Sequence, residues 1–144
     1  IAVVGTLATE TGNATYVGLS ANDASIMAGV ANVLDSDVTD SDGNVIIKGL
    51  QGSADVFQDG VDNTDKLFVH YFTKDCAVLE DVPGGVTSCS PTDGVQPAIG
   101  DPALRGKFII ALRNYIAPGT QRGADPDRLA TPMILTFTQP ESAP

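Results

Sequence analysis

Basic residues are scarce in this chain. Eight Lys and Arg face eighteen Asp and Glu, giving a net charge of −10 with the single His neutral. Nucleic acids and anionic membranes are polyanions, so this balance argues against both as partners. Trp is absent, and no run approaches the roughly 20 apolar residues that a membrane helix needs, so no membrane insertion is expected. One histidine excludes metal sites built from several, and two cysteines permit one disulfide at most. The chain also lacks a phosphate-binding glycine loop, a dinucleotide fingerprint, a Cys-x-x-Cys pair and a Gly-x-Ser-x-Gly elbow. What is plentiful is punctuation. Fifteen Gly and nine Pro interrupt a chain that is 42% hydrophobic, which suits short strands and many turns better than a helical bundle.

The densest apolar stretch is residues 66–76, KLFVHYFTKDC. As a strand it places Leu67, Val69 and Tyr71 on one face and Phe68, His70 and Phe72 on the other. A strand apolar on both faces is usually covered on both, so this one is predicted to be central. It leads into two short apolar arms around Pro83-Gly84-Gly85. An antiparallel register with Leu79 opposite Val86 also sets Cys76 opposite Cys89, predicting a disulfide-stapled hairpin. A bridge would imply an oxidising compartment. Opening on Ile1 rather than Met, the chain is expected to have been trimmed, with any export signal already removed.

Residues 1–8, IAVVGTLA, form an apolar strand at a free terminus, with Ile1, Val3 and Leu7 on one face and Val4 on the other. Such a strand should pair with something: its own sheet, or the sheet of a neighbouring copy by strand addition. Residues 20–34 predict one short helix. Ser20 caps it, and Ile26, Met27, Val30, Ala31 and Leu34 recur at helical spacing. Its other side is small and uncharged, which would permit close packing by another element of the chain or by a second subunit.

Asp35, Asp37, Asp40 and Asp42 fall within eight residues, and calcium takes oxygen ligands from turns of this kind. The EF-hand spacing fails, because Gly43 at position six puts Val38 at position one and Gly49 at position twelve. No cofactor is expected, calcium being the one ion these aspartates could hold. Further strands are predicted at residues 44–50 and 53–58 around a Gln51-Gly52 turn, at 107–116 as a second buried strand, and at 133–138. Long loops span 90–104 and 117–132, with a tail over 139–144.

The predicted fold is mainly β: a single domain over 1–144, an antiparallel β-sandwich or Greek-key-like arrangement. A catalytic triad could be assembled only from His70, Ser88 or Ser90, and Asp75, and His70 between two phenylalanines suits packing better. The chain is therefore expected to be a non-enzyme. The leading expectation is a structural, self-assembling subunit of a secreted filament or pilus-like surface polymer. Its partners would be copies of itself, touching through Ile1, Val3, Val4, Leu7, Ile26, Met27 and Val30. A virion coat or decoration protein is the close variant. A secreted β-sandwich module binding carbohydrate or calcium is the alternative from another class, and a small hydrolase a third. Charge is uneven: residues 1–100 hold fourteen acids against Lys48, Lys66 and Lys74, whereas residues 101–144 hold five bases against four acids. One copy's basic end could thus meet another's acidic end.

Overall fold

Alternation of apolar and polar side chains, broken by turn residues, divides the chain into short strands. The computed structural model describes residues 1–57, 62–92, 103 and 107–137, and contains nine strands there. They are β1 (Ala2–Thr6), β2 (Tyr16–Asp23), β3 (Ala28–Leu34), β4 (Val38–Thr39), β5 (Val45–Ile47), β6 (Leu67–Thr73), β7 (Cys89–Pro91), β8 (Phe108–Tyr115) and β9 (Met133–Leu135). Two sheets, ordered β7-β6-β1-β9 and β3-β2-β8, face each other as a sandwich, and β4-β5 makes a separate ribbon. All pairs are antiparallel except β6 with β7.

β6 is central, as its composition predicts, and buried on both faces. Phe68 and Phe72 join Val3, Leu7, Val17, Leu19 and Val33 in the core between the sheets. Val69 and Tyr71 point the other way and meet Ala2 and Ala54, with Leu79, Val82 and Cys89 packed around them. β1 lies between β6 and β9 of its own chain, and the Ile1 amine donates to the Phe72 carbonyl at 2.9 Å. Gly5 on β1 is opposite Phe68, and a Cβ there would come within 2.8 Å of the Phe68 ring. The ring therefore lies over the bare backbone of the neighbouring strand.

The helix predicted over 20–34 is not formed; these residues belong to the β2–β3 hairpin. Val17, Leu19 and Ala21 alternate into the core, and β2 is hydrogen-bonded on both edges, by β3 and by β8. The Asp23 carboxylate accepts from the Ser25 amide at 2.7 Å and the Ser25 hydroxyl at 2.6 Å, and Met27 takes φ 54°. That side-chain turn reverses the chain where a helix would run on. A register shift at Ala21/Asn22 absorbs one residue, so apolar positions on β3 fall at spacings that imitate a helix.

The disulfide Cys76–Cys89 is present, with its Cα atoms 5.9 Å apart, but it does not staple a hairpin. Cys76–Leu79 is a 3-10 turn capped by Asp75, and Cys89 opens β7, which runs parallel to β6. The bridge ties the start of the β6–β7 crossover to its end. Closing a loop with sequence separation 13 contributes about 3 kcal/mol in the chain-entropy model. Reduction is accordingly expected to lower the unfolding free energy by about that amount in urea titration, with β7 released first.

Three other strand expectations change. Val45–Ile47 pairs with β4 rather than across Gln51-Gly52, because Asp37 accepts from the Gly49 amide and Lys48 Nζ and closes that ribbon. Asp55–Phe57 is a 3-10 turn. β8 is an edge strand with only Ile110 and Leu112 packed on the core, so it is not buried along its length. In the loop 117–132, Ala124 and Leu129 pack against the core and Asp125 caps the 3-10 turn Pro126–Arg128. Most of the loop 90–104 and the tail 139–144 lie outside the described residues. No helix among the described residues is long and apolar enough to cross a membrane.

Candidate functional site

The residues expected to meet a second copy fall into two groups. Val3 and Leu7 are fully buried and Ile1 packs against the same core, while Val4 lies against the opposite cluster. These side chains hold the subunit together and cannot meet a second copy without leaving their own sheet. Ile26 and Met27 do reach solvent, at the tip of the β2–β3 turn, where Met27 is 73% exposed. Val30 lies half-buried on β3 and packs against the core.

The aspartates are spent locally. Asp35 accepts from the Ser36 amide and Asp37 from Lys48 and Gly49, while Asp40 accepts from the Asp42 and Asn44 amides and the Asn44 side chain. Asp35 and Asp40 organise their own turns and Asp37 closes the β4–β5 ribbon, while Asp42 enters only through its amide. No group of three or more His, Cys, Asp or Glu side chains among the described residues is placed to hold a metal ion.

His70 is buried, with Nε2 2.9 Å from Ser90 Oγ and its ring edge-on to Phe72 at 5.0 Å. Burial pushes its pKa down to about 4, so the imidazole is neutral at pH 7. Nδ1 has no partner among the described residues, and Asp75 is engaged in capping Ala77. Among the described residues the serine–histidine contact is therefore without the third group that would orient the ring and stabilise its cation. The contact ties β6 to β7 across the parallel pair, whose register sets Phe72 beside Ser90.

Two exposed apolar strands were not anticipated as contact surfaces. Met133, Ile134 and Leu135 of β9 are 62%, 52% and 44% exposed, and Phe137 beyond them is 68% exposed. β9 is the sheet edge among the described residues, bonded only to β1. Val45, Ile46 and Ile47 of β5 are likewise all exposed, in a ribbon with only β4 for a partner. An edge strand offers a row of free N–H and C=O groups, and natural sheets normally blunt it with charge, proline or a bulge. Neither triplet contains a charge or a proline; Pro132 stands just before β9. Each is a run of three consecutive large apolar residues, a pattern that reads equally as a buried strand until the fold shows what covers it. No family model, curated protein or solved structure matches the chain.

Proposed function

We propose that the protein is a self-assembling structural subunit of an extracellular filament, polymerising through β9 of one copy and the β4–β5 ribbon of the next. The observation that carries this reading is the pair of exposed, uncharged apolar strands at two separate places on one subunit. A contact between two different patches is heterologous, and repeated without closure it builds an open polymer. Charge favours the same pairing. The ribbon is flanked by Asp37, Asp40 and Asp42 against Lys48, which is paired with Asp37, whereas β9 belongs to the segment 101–144, where bases outnumber acids. Export to an oxidising compartment accords with the Cys76–Cys89 bridge. A virion coat would use the same contacts.

Light scattering and negative-stain microscopy test this. The intact chain is expected to form concentration-dependent polymers. Ile134→Lys and Ile46→Lys should each block growth, and an equimolar mixture of the two variants should stop at a dimer, since each keeps one working half of the contact. An intact chain that stays monomeric at high concentration overturns the proposal. Deleting residues 1–8 is expected to unfold the subunit instead of freeing it, because β1 is an interior strand.

A further inference from the structure

The outer face of the β3-β2-β8 sheet carries an open groove of about 530 Å³. Its lining follows from strand alternation. While Val17, Leu19 and Ala21 point into the core, Tyr16, Gly18, Ser20 and Asn22 point outward. The register sets Tyr115 beside Tyr16, Arg113 beside Gly18 and Asn32 beside Ser20. We propose that this groove binds an acidic saccharide, a sugar chain carrying carboxylates.

Three features define that ligand. Tyr16 and Tyr115 form an aromatic wall, with ring centroids 5.2 Å apart and planes tilted by 51°. Aromatic faces of this kind accept the apolar C–H face of a sugar ring while the phenol oxygens remain free to hydrogen-bond. Gly18 forms the floor beside them. A Cβ there would stand 3.2 Å from the Tyr16 hydroxyl, so the missing side chain is what lets the Tyr16 ring lie across the strand.

The second feature is unspent hydrogen-bonding capacity. Among the described residues the Asn32 amide and both phenols make no hydrogen bond, whereas Asn22 is fixed by Ser20 and the Ile109 carbonyl. Neutral donors and acceptors converging on one groove suit hydroxyl groups.

The third is Arg113, the one cation of the lining. It has neither an ion pair nor a hydrogen bond among the described residues, in a chain with eighteen acids. A guanidinium grips a carboxylate bidentately. One cation among neutral groups matches one carboxylate per sugar unit and not a run of phosphates, which would need several bases against the overall charge of −10.

Calorimetric titration of the full chain tests the assignment, with a tetramer of a uronic acid, a neutral hexose tetramer and sodium acetate as probes. The uronate tetramer is expected to bind saturably at millimolar concentration or below, and the other two much more weakly. Arg113→Gln should weaken binding tenfold or more, the usual effect of losing a charged hydrogen-bonding partner. Asn32→Asp, which places a like charge in the groove, should weaken it as well. Both positions are on the exposed face of the sheet, and unchanged circular dichroism would establish that the variants fold. Absence of saturable heat with the uronate, equal affinity for the neutral tetramer or for acetate, or binding that survives Arg113→Gln would each overturn the proposal. The groove is on the opposite sheet from β9, so failure of assembly through β9 leaves this test intact.

Discussion

Phe68→Ala is expected to reduce the unfolding free energy by about 3–5 kcal/mol, the usual range for truncating a buried aromatic side chain. Phe68 is fully buried at the centre of the face that meets the second sheet. The site has little means of relaxing into the space. Its opposite neighbour is Gly5, which has no side chain to move, and Pro132 borders the same position. The loss should therefore fall toward the upper end of the range. Domains of this size usually carry 5–15 kcal/mol in total, so the variant would be marginal at 25 °C. Urea unfolding followed by circular dichroism measures it. A loss below about 1.5 kcal/mol would mean that the two sheets are not packed through this ring.

Native stability is also expected to fall as pH drops from about 6.5 to about 4, chiefly through His70. In the unfolded chain the imidazole takes up a proton near its ordinary value of 6.5, whereas in the fold it does so only near 4. Desolvation is the cause, since the ring is buried, with the Ser90 hydroxyl as its one hydrogen-bonding partner among the described residues and the edge of Phe72 beside it. The unfolded state therefore binds more protons across this window, and stability is greatest above it. A displacement of about 2.5 pH units corresponds to about 3 kcal/mol at 1.36 kcal/mol per unit. Asp23, Asp37 and Asp40 act at lower pH. Hydrogen bonds from the Ser25 hydroxyl, from the Gly49 amide with Lys48, and from Asn44 hold their carboxyls below the ordinary 3.8. Their stabilisation is lost only as pH falls below that value. Urea midpoints at pH 7.5, 6, 5 and 4 should thus fall much more steeply for the intact chain than for His70→Asn. Equal slopes would place the titrating group elsewhere.

Strands that carry their own pattern were legible from residues alone. β6 reads as central because both its faces are apolar, and β1 and β8 read as strands because their β-branched residues alternate between flanking turns. The hairpin β2–β3 was not legible as such, for a local reason. The turn held by Asp23 and the register shift beside it carry Ile26, Met27, Val30, Ala31 and Leu34 to helical spacing. The clean alternation just upstream, with Val17, Leu19 and Ala21 against Tyr16, Gly18, Ser20 and Asn22, was the better signal. Reading it would also have found the groove, whose remaining residues come from β3 and β8 and are assembled only by pairing. The cysteine pairing was legible because two cysteines allow only one bridge. Its topology was not, since a parallel partner for β6 is chosen by which sheet edge is free. The exposed strands β5 and β9 needed the whole fold, because burial is decided by what covers a strand and not by its composition.

The interior position of β1 has a consequence in time. Ala2 pairs with Tyr71 on one side and with Leu135 on the other, so β1 needs a neighbour that is made only after every other strand described. At 5–20 residues per second a ribosome takes on the order of 10 s to travel between them. Throughout that interval Ala-Val-Val has at most one flank occupied, and its sheet cannot close until β9 has emerged. Folding must therefore follow completion of residue 135. An apolar strand that waits this long is the segment a chaperone, or the wrong neighbour, meets first.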